Sequence, residues 1–261
     1  METIARTAEW ETALARAALY ELLVHSLAFP SEAHREVLRS TVGPVVAELS
    51  TGDPAVDGPL GVLLRALDEP LDTVRAEHAA IFTHIEPMDC PPYESAHVPA
   101  DIFRQTEVMA DVAGFYRAHG LFVGGAERER PDHIVTEIEF VAFMARKEAY
   151  ALANLGSDEV AECRRTRDLF LRDHLGCWGP DFGRRLALVG GSSTIGAAGE
   201  LLAAWLEADL EALGVTPTQR LSEPVPQPEP DDDSCGATDC ASSESSPPVP
   251  VEIGTSRKRA P

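Results

Sequence analysis

The sequence predicts an all-α protein followed by a disordered acidic tail. Apolar residues recur every three to four positions up to about Gly214, which is the spacing of a buried helix face. No alternating run of β-branched residues indicates a strand. From Pro217 onwards proline, serine and acidic residues dominate, and this composition cannot bury enough apolar surface to offset chain entropy. We therefore expect one helical domain over residues 1–216 and a disordered tail over residues 217–261.

Prolines, glycines and capping residues predict the helix boundaries in the first half of the chain. The first helix ends at Pro30, and Ser31 offers an N-cap for a second helix that stops at Gly43-Pro44. A short helix then ends at Pro70, and Asp72 can cap the next one.

The second half of the chain shows the same helical spacing with fewer interruptions. Helices are predicted over residues 101–119, 131–154 and 157–176, of which the second is the longest. We interpret Trp178-Gly179-Pro180 as a turn, followed by a short helix to Val189 and a final helix over 192–213.

The charge balance is strongly acidic, with 43 Asp and Glu residues against 22 Lys and Arg residues and a formal net charge of −21. Binding to nucleic acid needs a basic face, so we expect no nucleic-acid partner. The N-terminus resembles no export signal, and no apolar stretch approaches the ~20 residues that cross a bilayer. The five cysteines are irregularly spaced, unlike a disulfide framework. We expect a cytoplasmic protein without stable membrane insertion.

The first chemically informative block is Cys90-Pro91-Pro92-Tyr93-Glu94-Ser95. Two successive prolines fix φ and remove two backbone donors, so this segment is a rigid loop. Such a loop with an aromatic ring and a carboxylate is often functional. The alternative is that Tyr93 and Glu94 fill the gap between the helices that the loop joins.

The second block is Pro131-Asp132-His133-Ile134, which runs into Glu137. Proline suits a first helical turn, and an acidic residue is favoured at the positive end of a helix. His133 and Glu137 are four residues apart, so they share a face. The spacing is compatible with a peptide-binding rim, with a metal site, or with Asp132 capping the helix while Glu137 is solvated.

Other candidate sites are weaker. Gly190-Gly191-Ser192 lacks the lysine of a phosphate loop and is interpreted as a flexible N-cap. Cys235 and Cys240 lie in the predicted tail, and a metal site normally needs four ligands. The order of residues suggests no nucleophile with its base. We therefore expect no catalytic residues, no bound metal and no cofactor.

Four segments resemble the TorD/DmsD/NarJ family of chaperones that mature molybdenum oxidoreductases, with its type II DMSO reductase chaperones as a candidate group. The match spans most of residues 12–213. The segments are Leu19-Tyr20-Glu21-Leu22-Leu23 with Phe29-Pro30, the Pro91-Pro92-Tyr93-Glu94-Ser95 loop, Pro131-Asp132-His133-Ile134 with Glu137 and Phe140, and Phe170-Leu171-Arg172-Asp173-His174-Leu175 followed by Trp178.

This resemblance implies an all-helical, non-catalytic chaperone. It would bind the apo catalytic subunit of a molybdenum oxidoreductase of the DMSO reductase family, through its twin-arginine leader, its mature part or both. Such a chaperone delays export until the molybdenum cofactor is inserted. The client is not identified, and a homodimer is left open. The client-binding residues carried over are Asp132 and His133 as the hot spot, Tyr93, Glu94 and Pro92 on the facing loop, and Glu137 as a weaker candidate.

The chemistry of a leader peptide agrees with this function. It offers two arginines beside an apolar run, so its receptor needs carboxylates next to exposed apolar surface. One alternative is an all-α metal-dependent hydrolase that uses Asp132, His133 and Glu137. Another is a structural subunit of a respiratory complex.

Overall fold

The computed structural model describes residues 2–82, 90–99, 101–123 and 130–221, with side chains from residue 6 onwards. Within these ranges the chain is helical and contains no strand, so the all-α prediction is confirmed. The predicted disordered tail spans residues 217–261, and residues 222–261 lie outside the described residues. The helices are α1 Glu2–Leu27, α2 Glu32–Val37, α3 Gly43–Ala47, α4 Pro54–Ala66, α5 Leu71–Phe82, α6 Ile102–Ala118, α7 Ile134–Asn154, α8 Ser157–Asp173, α9 Leu175–Gly190 and α10 Thr194–Leu213.

The core forms where α1 packs on α7 and α9 packs on α10. Helix α8 covers α7, and α4 covers α10. The largest fully buried side chains include Trp178, Tyr20 and Phe170. Burying a large apolar side chain stabilises a fold by about 1.5–3 kcal/mol, so packing of the amphipathic faces holds these helices together. No helix in the described ranges is both long enough and apolar enough to span a bilayer.

The predicted turn at residues 178–180 is wrong, because these residues lie inside α9. Helix α10 approaches α9 very closely at this point. A Cβ atom on Gly183 would lie 2.8 Å from the backbone nitrogen of Ala203 and 2.8 Å from the carbonyl oxygen of Gly199. The glycines therefore allow close helix packing, and that packing overrides the local tendency of glycine and proline to end a helix.

The predicted end of the second helix at Gly43-Pro44 is also wrong. A π-helical turn over Leu38–Val42 joins α2 to α3, and Gly43 N–H donates to the carbonyl of Leu38. Pro44 then falls in the first turn of α3, directly after this π-helical turn. Similarly, Asp72 lies in the first turn of α5 rather than before it.

The chain continues along the helical body after α10. Thr218 N–H donates to the carbonyl of Arg172, and Leu221 N–H donates to that of Cys177, both at 2.9 Å. Residues up to 221 thus contact the boundary between α8 and α9. The division of the chain at residue 216 stays a prediction.

The close contact between α9 and α10 gives a stability test. We expect Gly183→Ala to lower the free energy of unfolding by about 1–3 kcal/mol, because a methyl group would overlap the backbone of α10. Gly114→Ala is the matched control, since Gly114 is exposed in α6 and a Cβ there meets nothing within 4 Å. The control should stabilise the protein by about 0.5–1 kcal/mol. Urea unfolding of both variants measures this, and equal effects would contradict the packing argument.

Candidate functional site

The two sequence blocks meet at one place in the structure. Ile134 N–H donates to the carbonyl of Pro92 at 2.8 Å, and Glu94 N–H donates to the carbonyl of Asp132 at 2.9 Å. Tyr93 and His133 form an isolated antiparallel bridge, and their rings lie 5.3 Å apart in an edge-to-face arrangement. We call this region, residues 92–95 with 130–134, the junction.

Helix α7 begins three residues later than predicted, at Ile134 rather than Pro131. His133 is its N-cap, and the Nδ1 atom of His133 accepts a hydrogen bond from Val135 N–H at 3.2 Å. The interpretation that Asp132 caps the helix is therefore wrong. The reason is that Asp132 is paired with the proline-rich loop through both its carbonyl and its carboxylate.

The Asp132 carboxylate is fully buried and fully paired. It accepts hydrogen bonds from Ser95 N–H at 3.1 Å, from Arg130 Nε at 3.0 Å and from Arg130 Nη2 at 2.9 Å. The guanidinium of Arg130 also lies over the Tyr93 ring, 4.5 Å from its centroid. This carboxylate therefore has an arginine from its own chain as partner.

Beneath the junction, Glu94 is buried and accepts a hydrogen bond from His174 Nδ1 at 3.1 Å. The other ring nitrogen of His174 lies 3.4 Å from Asp111 Oδ2, and the Asp111 side chain is 65% exposed. The imidazole packs edge-to-face on Phe115, and Phe170 lies against it with the ring centroids 5.2 Å apart. The buried imidazole of His174 thus lies between the Glu94 carboxylate of the loop and the exposed carboxylate of Asp111.

Glu137 is fully buried, so the interpretation that it is solvated is wrong. Trp178 Nε1 donates to its Oε2 at 3.1 Å. The other oxygen, Oε1, has no donor among the described residues and neighbours Glu94. Burial raises the pKa of Glu137 well above its ordinary value, and the charge of Glu94 raises it further. Glu137 is therefore favoured as the neutral acid, whose O–H can donate to Glu94.

The pKa values of Glu94 and His174 are both raised. Burial raises the pKa of Glu94, and the hydrogen bond from His174 opposes that shift. Burial alone would lower the pKa of His174, but the hydrogen bond and charge of Glu94, with the charge of Asp111, outweigh it. His133 behaves differently, because burial lowers its pKa to about 4. The half-buried His133 ring is thus neutral at pH 7.

Asp132, His133 and Glu137 do not converge on a common point. Asp132 binds Arg130, His133 caps α7, and Glu137 binds Trp178. Within the described ranges no group of three or more His, Cys, Asp or Glu side chains could hold a metal ion. The geometry therefore gives no support to the hydrolase alternative.

Four residues of this site were not assigned a role from the sequence: Arg130, Asp111, His174 and Trp178. The sequence motifs contained His174 and Trp178, but a motif does not say which carboxylate each side chain contacts. Arg130 stands two residues before Asp132, and that proximity was its only signal.

Helix α6 contacts the junction through Met109 and carries two exposed apolar side chains at its start. Met109 Sδ lies 3.4 Å from Arg130 Nη2. Ile102 is seven residues earlier in α6, so it lies on the same helix face as Met109. Ile102 and its neighbour Phe103 are both largely exposed. About two helical turns from Met109, these two side chains therefore form apolar surface that no described residue covers.

The family model described as "Nitrate reductase delta subunit" matches residues 51–184, which include both blocks of the junction, His174 and Trp178. The chain belongs to this family. It is the NarJ/TorD-like group that the sequence motifs resemble, so that resemblance is confirmed.

Two curated relatives carry chaperone names. The chain is 34% identical over 110 residues to the "Chlorate reductase assembly chaperone protein" of Ideonella dechloratans, covering 42% of this chain and 55% of the relative. It is 35% identical over 107 residues to the "Selenate reductase assembly chaperone protein" of Thauera selenatis, covering 41% and 53%. The matched segment thus spans about half the length of each relative.

The buried acids give a pH-dependent prediction. A raised pKa means that the folded state holds a proton that the unfolded state has released, so stability falls as pH rises above about 4.5. Each pH unit in this window costs about 1.4 kcal/mol per such group. We expect Glu137→Gln to reduce the fall, because glutamine carries no titrating proton and keeps the bonds to Trp178 and Glu94. A smaller fall remains from Glu94 and His174, whose pKa values are also raised.

Chemical unfolding from pH 5 to pH 9 measures this difference. Glu139→Gln is the control, because Glu139 is exposed on the same helix. If the two variants lose stability with pH to the same extent, Glu137 does not hold a proton in the folded protein.

Proposed function

We propose that this protein is a cytoplasmic, non-catalytic chaperone for the maturation of a molybdenum oxidoreductase of the DMSO reductase family. It binds the apo catalytic subunit and assists cofactor insertion before export or assembly. Membership of the nitrate reductase delta subunit family supports this proposal, and so do the chaperone names of the two relatives. Those names favour a client related to the chlorate and selenate reductases.

The observation that carries the proposal is the junction itself. It combines a buried carboxylate that pairs with Arg130 and two partly exposed aromatic rings. The exposed apolar side chains of Ile102 and Phe103 lie on α6, the helix that contacts the junction through Met109. A twin-arginine leader presents arginines followed by an apolar run, which is the complementary pattern. The net charge of −21 adds long-range attraction for a basic segment.

The structure suggests different roles for the six proposed client-binding residues. Tyr93 and His133 are partly exposed and can contact the client directly. Three others are buried and organise the surface from below, which makes them positioning residues: Pro92, Glu94 and Glu137. Asp132 is also buried, and its carboxylate pairs with the partly exposed Arg130.

A permanent subunit of a respiratory complex is the competing role within the same family. A chaperone binds the apo subunit and leaves after maturation, whereas a subunit remains in the active enzyme. Purifying the mature client from cells that contain this protein distinguishes the two roles. A stoichiometric complex with the cofactor-loaded enzyme would contradict the chaperone proposal.

We expect Tyr93→Ala combined with His133→Asn to weaken binding of the apo catalytic subunit by roughly 2 kcal/mol, about 30-fold. Asparagine retains an N-cap acceptor, so α7 should remain intact while the partly exposed imidazole is lost. Binding is measured by co-purification and by titration of a leader peptide that contains the twin arginines.

Tyr150→Ala is the matched control, because Tyr150 is an exposed aromatic residue near the other end of α7. Its binding and that of the double variant are compared at equal folded fraction, as judged by circular dichroism. If the control weakens binding as much as the double variant, the junction is not the client site.

A further inference from the structure

The Asp132 carboxylate lies in a small site that is built for a guanidinium group. Ser95 N–H donates to Oδ2 of the carboxylate, and Ser95 Oγ accepts a hydrogen bond from Arg130 Nη2 at 2.5 Å. The guanidinium carbon of Arg130 lies over the Tyr93 ring. Bidentate pairing, a hydroxyl acceptor and an aromatic platform are the features that select arginine over lysine.

The described residues leave the arginine that occupies this site partly exposed. The Arg130 side chain is 44% exposed, whereas its partner Asp132 is fully buried. A second buried aspartate offers a direct contrast: Asp209 pairs with Arg16, whose side chain is only 10% exposed. The Arg16 pair is enclosed between α1 and α10, while Arg130 approaches its carboxylate from the solvent side.

We propose that Asp132 and its surroundings form an exchangeable guanidinium site, in which Arg130 is the internal occupant and an arginine of the client takes its place. This inference rests on the proposed function and names the chemical group that the junction recognises. Exchange keeps Asp132 paired throughout, so it avoids the several kcal/mol that an unpaired buried charge would cost.

Internal competition lowers the apparent affinity for a client. The apparent dissociation constant equals the intrinsic one divided by the fraction of molecules in which the site is free. Because Arg130 is tethered beside the carboxylate, it competes at a high effective concentration. A client arginine therefore succeeds only when other contacts, such as those with Ile102 and Phe103, hold it nearby.

The first experiment needs no client. Arg130→Ala leaves the buried carboxylate without its cation, so the melting temperature should fall. Millimolar N-ethylguanidinium, which replaces the missing group, should restore it with a saturable dependence, and ethylammonium should not. Arg130→Ala combined with Asp132→Asn should show no recovery. If N-ethylguanidinium acts equally on the single and double variants, the site is not a guanidinium site, and the proposal fails.

The second experiment tests exchange with a leader peptide. We expect Arg130→Ala to bind a twin-arginine peptide about tenfold more tightly than the natural protein, because the internal competitor is gone. A peptide with two lysines instead should gain little. Arg130→Lys, which keeps a cation but not the bidentate pair, should fall between the two proteins. Weaker binding by both Arg130 variants at equal folded fraction would mean that Arg130 is a permanent part of the client surface, which overturns the proposal.

The two proposals fail in distinguishable ways. If neither the natural protein nor the variants bind a leader peptide or the apo subunit, the proposed function fails, although recovery by N-ethylguanidinium can still be observed. If the natural protein binds the leader but Arg130→Ala does not tighten binding, only the exchange is wrong.

Discussion

The pairing of the proline-rich loop with the start of α7 is the constraint on which this face of the protein depends. Two backbone hydrogen bonds connect the segments, and the Asp132 carboxylate adds a third bond to Ser95 N–H. Because that carboxylate is fully buried, it needs a cation, and Arg130 supplies one while also covering Tyr93. One buried charge therefore fixes the loop, an aromatic ring and a partly exposed arginine together.

A second layer of acids attaches this arrangement to the core. Glu94 reaches His174 at the α8–α9 boundary, and Glu137 reaches Trp178 in α9. These contacts anchor the loop and the start of α7 to α9 and to the α8–α9 boundary. Under the proposed function, a loop anchored in this way loses less entropy when the client binds.

The helical fold could be predicted because apolar spacing is a local property of the sequence. Helix α9 marks the limit of that approach, since its Trp178-Gly179-Pro180 segment has the local composition of a turn. Only the close approach of α10 explains why it is helical. The burial of Glu137 was missed for the same reason: its partner Trp178 is 41 residues away, and the Glu94–His174 pair is separated by 80. The local spacing around Glu137 is compatible with a solvated side chain, and only the tertiary structure shows that the side chain is buried.

The exchange proposed for Asp132 keeps a buried carboxylate paired at every stage of client binding and release. Removing one member of a buried ion pair typically costs about 3–5 kcal/mol, which would oppose client release if the vacated site stayed empty. An internal arginine on the solvent side removes that barrier, because it can return as the client arginine leaves. Arg130 would also set the minimum binding strength that a client segment needs. A segment with arginines alone gains no contact that Arg130 does not already make. Under the proposed exchange, selectivity depends on the apolar run beside the arginines, and the return of Arg130 lowers the cost of releasing the client arginine.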